Sequence, residues 1–406
     1  MSVWKKVKLG EITESCLGKM LDAAKNRGEY KPYLANLNVR WGCFDTDNLS
    51  LMKFEEDEDE RYGIKYGDLI ICEGGEPGRC AIWKEEIPDM KIQKALHRVR
   101  PKKGLVDNFY LFYWFLLAGK RNLIDQYCTG ATIKHLPGQK LKEVVVDLPP
   151  LATQHYIATI LSRYDSLIEN YQKQIKLLEE AAQRLYKEWF VDFHFPGHEN
   201  TKIVDGVPEG WVKKKLEDIF SYVRGRSYTS KELSDSGTIL VNLKNIQAFG
   251  GYKRDAEKRY LGDYKQEQSL EVGDLIMGVT DMTQERRLVG HVALIPEFKE
   301  PATFSMDLIK ILPFELSKSF LYCAMRFGGI SKQIAPLANG VNVLHLKPEA
   351  MMGIEMMVPS KELIKHFDDY YNHGFNTILH LQDQIRLLTE ARDRLLPKLM
   401  SGEIAV

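Results

Sequence analysis

The sequence has no paired cysteines, no long apolar run and no excess charge of either sign, and each absence removes a class of protein. Its six cysteines (Cys16, Cys43, Cys72, Cys80, Cys128 and Cys323) are scattered without a CxxC pair. That argues against a zinc ribbon or a disulfide framework and suits a reducing cytoplasm. The most apolar stretch, Phe109–Ala118, is about half of the ~20 residues that a membrane-spanning helix needs, so it reads as a buried helix and no membrane is expected. Met1–Ile12 lacks the apolar core of a signal peptide. Lys+Arg and Asp+Glu both number 56. Bulk charge therefore makes no case for nucleic acid, although a DNA site needs only local segregation of charge. The largest like-charge run, Glu55–Glu60, reads as a solvated loop. His194 and His198 flank a Pro-Gly break with no cysteine pair upstream, so a surface linker is expected there rather than a metal site.

Catalytic signatures are missing too. There is no G-x-x-x-x-G-K-[ST] phosphate loop and no G-x-S-x-G elbow. Asp147-Leu-Pro-Pro150 has an intervening Leu and no following aromatic, so it departs from the motif of an amino-methyltransferase. The balance favours a binding protein over a catalyst.

What is present is repetition. QIKLLEEAAQRL at Gln174–Leu185 recurs as QIRLLTEARDRL at Gln384–Leu395, 210 residues later. At the same shift Gly130–Leu136 meets Gly340–Leu346, and Pro149 meets Pro359. Gly67–Ile70 meets Gly273–Ile276 and Asn36-Leu37 meets Asn242-Leu243, both shifted by 206, while Trp4 meets Trp211. Matches in one order with small drifts mean an internal duplication. Each half contains short alternating runs such as Asp68–Cys72 and Asp274–Met277, which read as strands, then a helical stretch and a long helix.

In the first long helix Ile157, Leu161, Tyr164, Ile168, Tyr171, Ile175, Leu178, Ala182, Leu185 and Trp189 alternate steps of four and three, a coiled-coil seam. The second keeps Phe367, Tyr371, Ile378, Leu381, Ile385, Leu388, Leu395 and Leu399 but departs at Gly374 and Arg392. Each helix would be a rod of about 55 Å. The expected fold is α+β: two globular α/β modules separated by two long helices that form an antiparallel coiled coil, with an internal pseudo-two-fold repeat. The boundaries expected are 1–149 and 196–359 for the modules, the second with its preceding linker, and 150–195 and 360–406 for the helices.

Basic and aromatic residues interleave early in each module. Module one offers Lys19, Lys25, Arg27, Lys31 and Arg40 with Tyr30, Tyr33 and Trp41. Module two offers Lys213–Lys215, Arg224, Arg226 and Lys231 with Tyr222 and Tyr228. Such clusters neutralise phosphates, and equally decorate ordinary surfaces.

The order Trp…Leu-Gly-Glu-Ile, GDLIICEGGEPGR (Gly67–Arg79), GATIKHL, LPPLATQ (Leu148–Gln154), the LLEEA helix and the closing LLPKLMSGEI resembles the specificity subunit of Type I restriction-modification enzymes over nearly the whole chain. That resemblance implies a non-catalytic, cytoplasmic DNA-binding subunit for DNA methylation. Each module would be a target-recognition domain reading one half of a bipartite, asymmetric site in double-stranded DNA. The helix pair would fix the gap and dock two modification (methyltransferase) subunits, which recruit restriction (ATP-dependent translocase and nuclease) subunits. No cofactor would be bound here, since S-adenosylmethionine, ATP and Mg belong to the partners. By position, the DNA-facing candidates are Asn36, Asn38, Arg40, Arg79, Lys134 and His135 in module one, with Lys19, Lys25 and Arg27. In module two they are Asn242, Lys244, Asn245, Arg286, Arg287 and His345, with Arg224, Arg226 and Tyr228. His135 and His345 either face DNA or only pin their loops. Gln154, Arg163, Lys173 and Lys176 on the helices either dock partners or are solvated. Two rivals stand beside this reading: a stand-alone two-module scaffold, and a modification enzyme with an unrecognised site.

Overall fold

The computed structural model describes residues 4–22, 26–130 and 132–405. It divides into two compact units, one running to Asn170 and resuming at Ile385, the other spanning Tyr171–Gln384. Each unit therefore takes the head of one long helix and the tail of the other.

In the first unit, Lys5–Lys8 pairs antiparallel with Val145–Leu148. Beside this ribbon is a four-stranded antiparallel sheet in the order Thr13–Leu17, Leu96–Pro101, Leu69–Cys72, Cys80–Ile82. A second sheet orders Ser50–Phe54, Glu29–Leu34 and Lys91–Ile92, its last pair parallel. All four residues of Leu69–Cys72 are buried because the strand is covered on both faces. With a period of two, Leu69 and Ile71 enter one core while Ile70 and Cys72 enter another. The apolar run forms a helix, Asn108–Lys120, capped by the Asp107 carboxylate, which accepts the Tyr110 N–H at 2.8 Å.

The second unit repeats this plan. Val212–Lys215 pairs with Glu355–Val358, and the four-stranded sheet runs Phe220–Arg224, Leu308–Pro313, Leu275–Gly278, Val292–Leu294. In the companion sheet Thr238–Val241 lies parallel to Ala302–Phe304, and Leu233–Ser234 adds a strand at the edge. The counterpart helix Lys318–Phe327 is capped by Ser317, whose hydroxyl oxygen accepts the Phe320 N–H at 3.0 Å.

The long helices are Leu151–Phe190 and Lys361–Met400. In the first unit Ile157, Leu161, Leu396, Leu399 and Met400 share the core with the aromatic helix. In the second, Trp189, Phe190, Phe367 and Tyr371 do so, with the Phe190 and Phe367 rings 5.1 Å apart. Of the remaining seam positions, Ile168, Ile378 and Leu381 are buried. Ile175, Leu178, Leu185, Ile385, Leu388 and Leu395 are half-buried, and Leu396 is the fully enclosed neighbour. Arg392 is no gap in the seam, because its guanidinium meets Asp165 at 2.6 Å.

Three expectations need correction. The acidic run is not simply solvated: Glu58 and Asp59 pair with Lys19 and Lys91, whose ammonium groups are buried. The 191–210 segment is no bare linker, since Phe195 is buried and Phe193 and Phe195 pack on Trp211 at 5.3 and 5.6 Å. Gln154 is buried rather than outward-facing; it accepts the Asp107 N–H and donates to the Pro149 carbonyl. No helix is long and apolar enough to cross a membrane among the described residues.

Candidate nucleic-acid interface

In the first unit three loops far apart in sequence meet. The Asn36 amide donates to the Gly74 carbonyl at 2.7 Å. Arg79 donates to the Asn36 side-chain oxygen at 2.9 Å and pairs with Glu76 at 3.2 Å. Glu76 also accepts the Trp41 indole N–H at 2.7 Å. The third loop closes by a reciprocal pair, with Thr129 N–H to His135 O and His135 N–H to Thr129 O both at 2.8 Å, and is hung from Glu73 O by the Leu136 N–H. Gly130 has φ +92°, and a Cβ there would collide with the Ile133 carbonyl oxygen. The resulting finger presents Ile133, Lys134 and His135 to solvent.

The second unit builds the same finger. Asn339 and His345 exchange backbone bonds at 3.0 and 2.9 Å, and the Leu346 N–H hangs it from Val279 O. Its tip, Val341, is 88% exposed. The Gln284 amide donates to the Val341 carbonyl at 2.7 Å, and the Phe249 N–H donates to Arg287 O at 2.8 Å, so again three loops converge. Here the brace is a carboxylate. Asp281 is fully buried and accepts from the Thr283, Leu288 and Val289 N–H groups. Burial raises its pKa, but those bonds together outweigh burial and hold it below the ordinary value. His291, beside Phe249, is pushed down chiefly by burial and so stays neutral near pH 7.

The structure sorts the sequence candidates. Arg40, Lys134, His135, Lys244, Arg287 and His345 are exposed on the clustered loops. Of these Arg40 lies 3.7 Å from Asp45, Lys134 is 2.6 Å from Asp125, and Arg287 pairs with Glu285. Asn36, Arg79 and Arg286 are partly covered, the first two as braces. Asn38, Asn242 and Asn245 are buried and hydrogen-bonded to backbone, so they shape the loops and offer nothing to a ligand. Lys19 is only 3% exposed and held by Glu58 at 2.5 Å, so it cannot reach a phosphate. Arg27 is exposed, and Lys25 lies outside the described residues. Arg224, Arg226 and Tyr228 are carried near the Phe220–Arg224 strand rather than by the three loops, on Glu349, Tyr260 and Lys258 respectively. Backbone bonds pin both histidine loops and leave both imidazoles exposed, that of His345 with its Nδ1 3.4 Å from the Thr280 hydroxyl.

Sequence reasoning singled out the loops 73–79 and 280–287 that carry Glu76, Asp281 and Gln284, but gave these three residues no role. Only Asp281 had a readable signal, an acid following a buried strand in a turn-rich segment. Among the described residues no group of three or more His, Cys, Asp or Glu side chains could hold a metal ion.

Fold and loops together define a duplicated protein with two matched three-loop clusters. Residues 1–180 match the sequence profile of the Type I restriction modification DNA specificity domain. The chain is 28% identical over 348 residues to the Type I restriction enzyme MjaIX specificity subunit of Methanocaldococcus jannaschii, covering 84% of this chain and 78% of that protein. It is 21% identical to the HindI specificity subunit of Haemophilus influenzae, over the full length of both. The fold matches the crystal structure of a Type I restriction-modification system S subunit from M. genitalium, with a TM-score of 0.58, 17% identity, and 98% and 96% of the two chains covered. The chain is therefore homologous to the specificity subunits of type I restriction enzymes.

Proposed function

We propose that this chain is the DNA-reading specificity subunit of a Type I restriction-modification assembly. The observation that carries the reading is that one three-loop cluster, closed by the same glycine-started finger, is built twice in one chain. Each cluster reads one part of a split duplex site, with exposed Arg40, Lys134, His135, Lys244, Gln284, Arg287 and His345 as the contacting groups. Arginine and glutamine read guanine and adenine edges bidentately, and lysines neutralise phosphates. Asn36, Arg79 and Asp281 hold the loops in shape. The regions 1–149 and 196–359 serve as recognition domains. The helices in 150–195 and 360–406 serve as the spacer that sets the gap and offers docking faces to two modification subunits. The chain itself does no chemistry. S-adenosylmethionine, ATP and Mg are used by the modification and restriction subunits.

The test is co-expression of this chain with a modification subunit of its own system, in a host without adenine methylation, followed by long-read mapping of modified adenines. A split asymmetric motif that disappears without this chain is the expected outcome. No new methylation together with failure to co-purify would overturn the reading in favour of a scaffold, and methylation by this chain alone would make it an enzyme.

A further inference from the structure

The 210-residue repeat relates Asp165 to Phe375 and Arg392 to Ala182. One pattern written twice should give two like helix crossings, yet the two differ. In the first unit the crossing is ionic. Arg392 lies 2.6 Å from one Asp165 oxygen, and the Tyr113 hydroxyl donates to the other at 2.5 Å. Asp393 alongside pairs with Lys120 at 2.5 Å. In the second unit Ala182 and Phe375 line one small cavity of about 30 Å³. The cation in its wall, Arg326, comes from the short helix and meets Glu179 at 3.3 Å. The repeat places Thr389 where Glu179 stands and Gln183 where Asp393 stands. The four pairs that differ thus set the three acids Asp165, Glu179 and Asp393 and the cation Arg392, which complete these networks, against the uncharged Phe375, Thr389, Gln183 and Ala182.

Exchanging the helices shows what the differences do. If two first halves met, Asp165 would face Ala182 and Lys120 would face Gln183, each charge losing its partner. If two second halves met, Arg392 would replace Ala182 and Thr389 would replace Glu179. Arg326, which is 14% exposed in its side chain, would then share its cavity with a second guanidinium and no acid. Stranding a buried charge is strongly unfavourable, and buried polar groups are well attested as selectors of pairing partner. The seam differs between the copies in side-chain size, as with Ile157 against Phe367 and Trp189 against Leu399, but apart from Arg392 it carries no charge for a like pair to strand.

We propose that Asp165, Glu179, Thr389, Arg392 and Asp393, with Lys120 and Arg326, form a pairing code. It makes each half of the chain accept the other half and refuse a second copy of its own kind.

The test starts from the folded full-length protein with a protease site placed at the exposed Asp205-Gly206 turn, cleaved after folding so that the halves stay associated. Two preparations differing in mass are mixed and warmed until tagged first halves appear with untagged second halves, which shows that exchange has occurred. Native mass spectrometry then counts like and unlike pairs. Unlike pairs are expected to exceed like pairs by at least about a hundredfold. The double substitution Thr389→Glu with Arg392→Ala gives second halves what first halves offer, and pairs of second halves should rise at least about tenfold. Leu396→Ala, which only loosens the core, should speed exchange and leave the ratio unchanged. Like pairs as common as unlike ones in the unsubstituted protein would overturn the proposal. So would a double variant whose ratio moves no further than that of Leu396→Ala.

Discussion

Asn38 and Asn245 make the same two hydrogen bonds in the two halves. Each side-chain oxygen accepts a backbone N–H three residues earlier at 2.9 Å, from Ala35 and Asn242. Each side-chain amide donates across the loop, to Asp45 O at 2.9 Å and Lys253 O at 2.8 Å. The structural repeat therefore runs at a shift of 207 here, one more than the Asn36–Asn242 match in the sequence. Replacing either by Ala leaves buried backbone groups unpaired, at about 1–3 kcal/mol. In a unit of this size that lowers Tm by about 2–4 °C per kcal/mol, readable by calorimetry.

The Arg392–Asp165 pair makes a second stability prediction. Arg392→Ala leaves the Asp165 carboxylate half-buried with only Tyr113, and should cost about 3 kcal/mol. Replacing both partners by Leu should recover much of that loss in urea denaturation, because no charge is then stranded.

Glu349 gives a pH dependence. Its carboxylate accepts from the Tyr222 hydroxyl and from its own backbone N–H and pairs with Arg224, which together hold its pKa at about 2, against an ordinary 4.5. The folded state thus binds the proton more weakly than the unfolded chain. The contribution is complete above about pH 4.5 and is lost as pH falls towards 2. The difference in urea midpoint between the protein and Glu349→Gln should be flat from pH 7 to 5 and shrink to nothing near pH 2.

On DNA, Lys244→Ala and Lys134→Ala should each weaken binding on all sequences and reduce the slope of log affinity against log salt by about 0.9. The methylated motif should stay the same. Gln284→Ala should do the reverse, relaxing one base position in one half of the motif with little change in slope.

The duplication, the long helices and the buried aromatic helix were legible because each is a periodic pattern of apolar residues. The repeat marked the Asn36 and Gly130 loops in both halves, but their meeting with the loop at 73–79 was not legible, because it rests on contacts between residues far apart in sequence. What escaped depended on long-range pairing. Nothing local in Lys19 distinguishes it from a solvated lysine; its burial follows from Glu58, 39 residues away. The asparagines had the chemistry of base-reading residues, and only the fold shows that their amides are consumed by the backbone. The Arg392 departure was visible as an irregularity, but its compensation by Asp165 lies 227 residues back.

The first core contains Leu396, Leu399 and Met400 beside Ile157 and Leu161. A ribosome finishes the rest of that unit at Asn170 and must add roughly 230 residues before supplying the missing wall. At cellular elongation rates this is a delay of about 10–50 s. The nascent first module spends that interval with an apolar groove uncovered. A chaperone, or the emerging second module itself, has that long to find the groove before its proper occupant arrives.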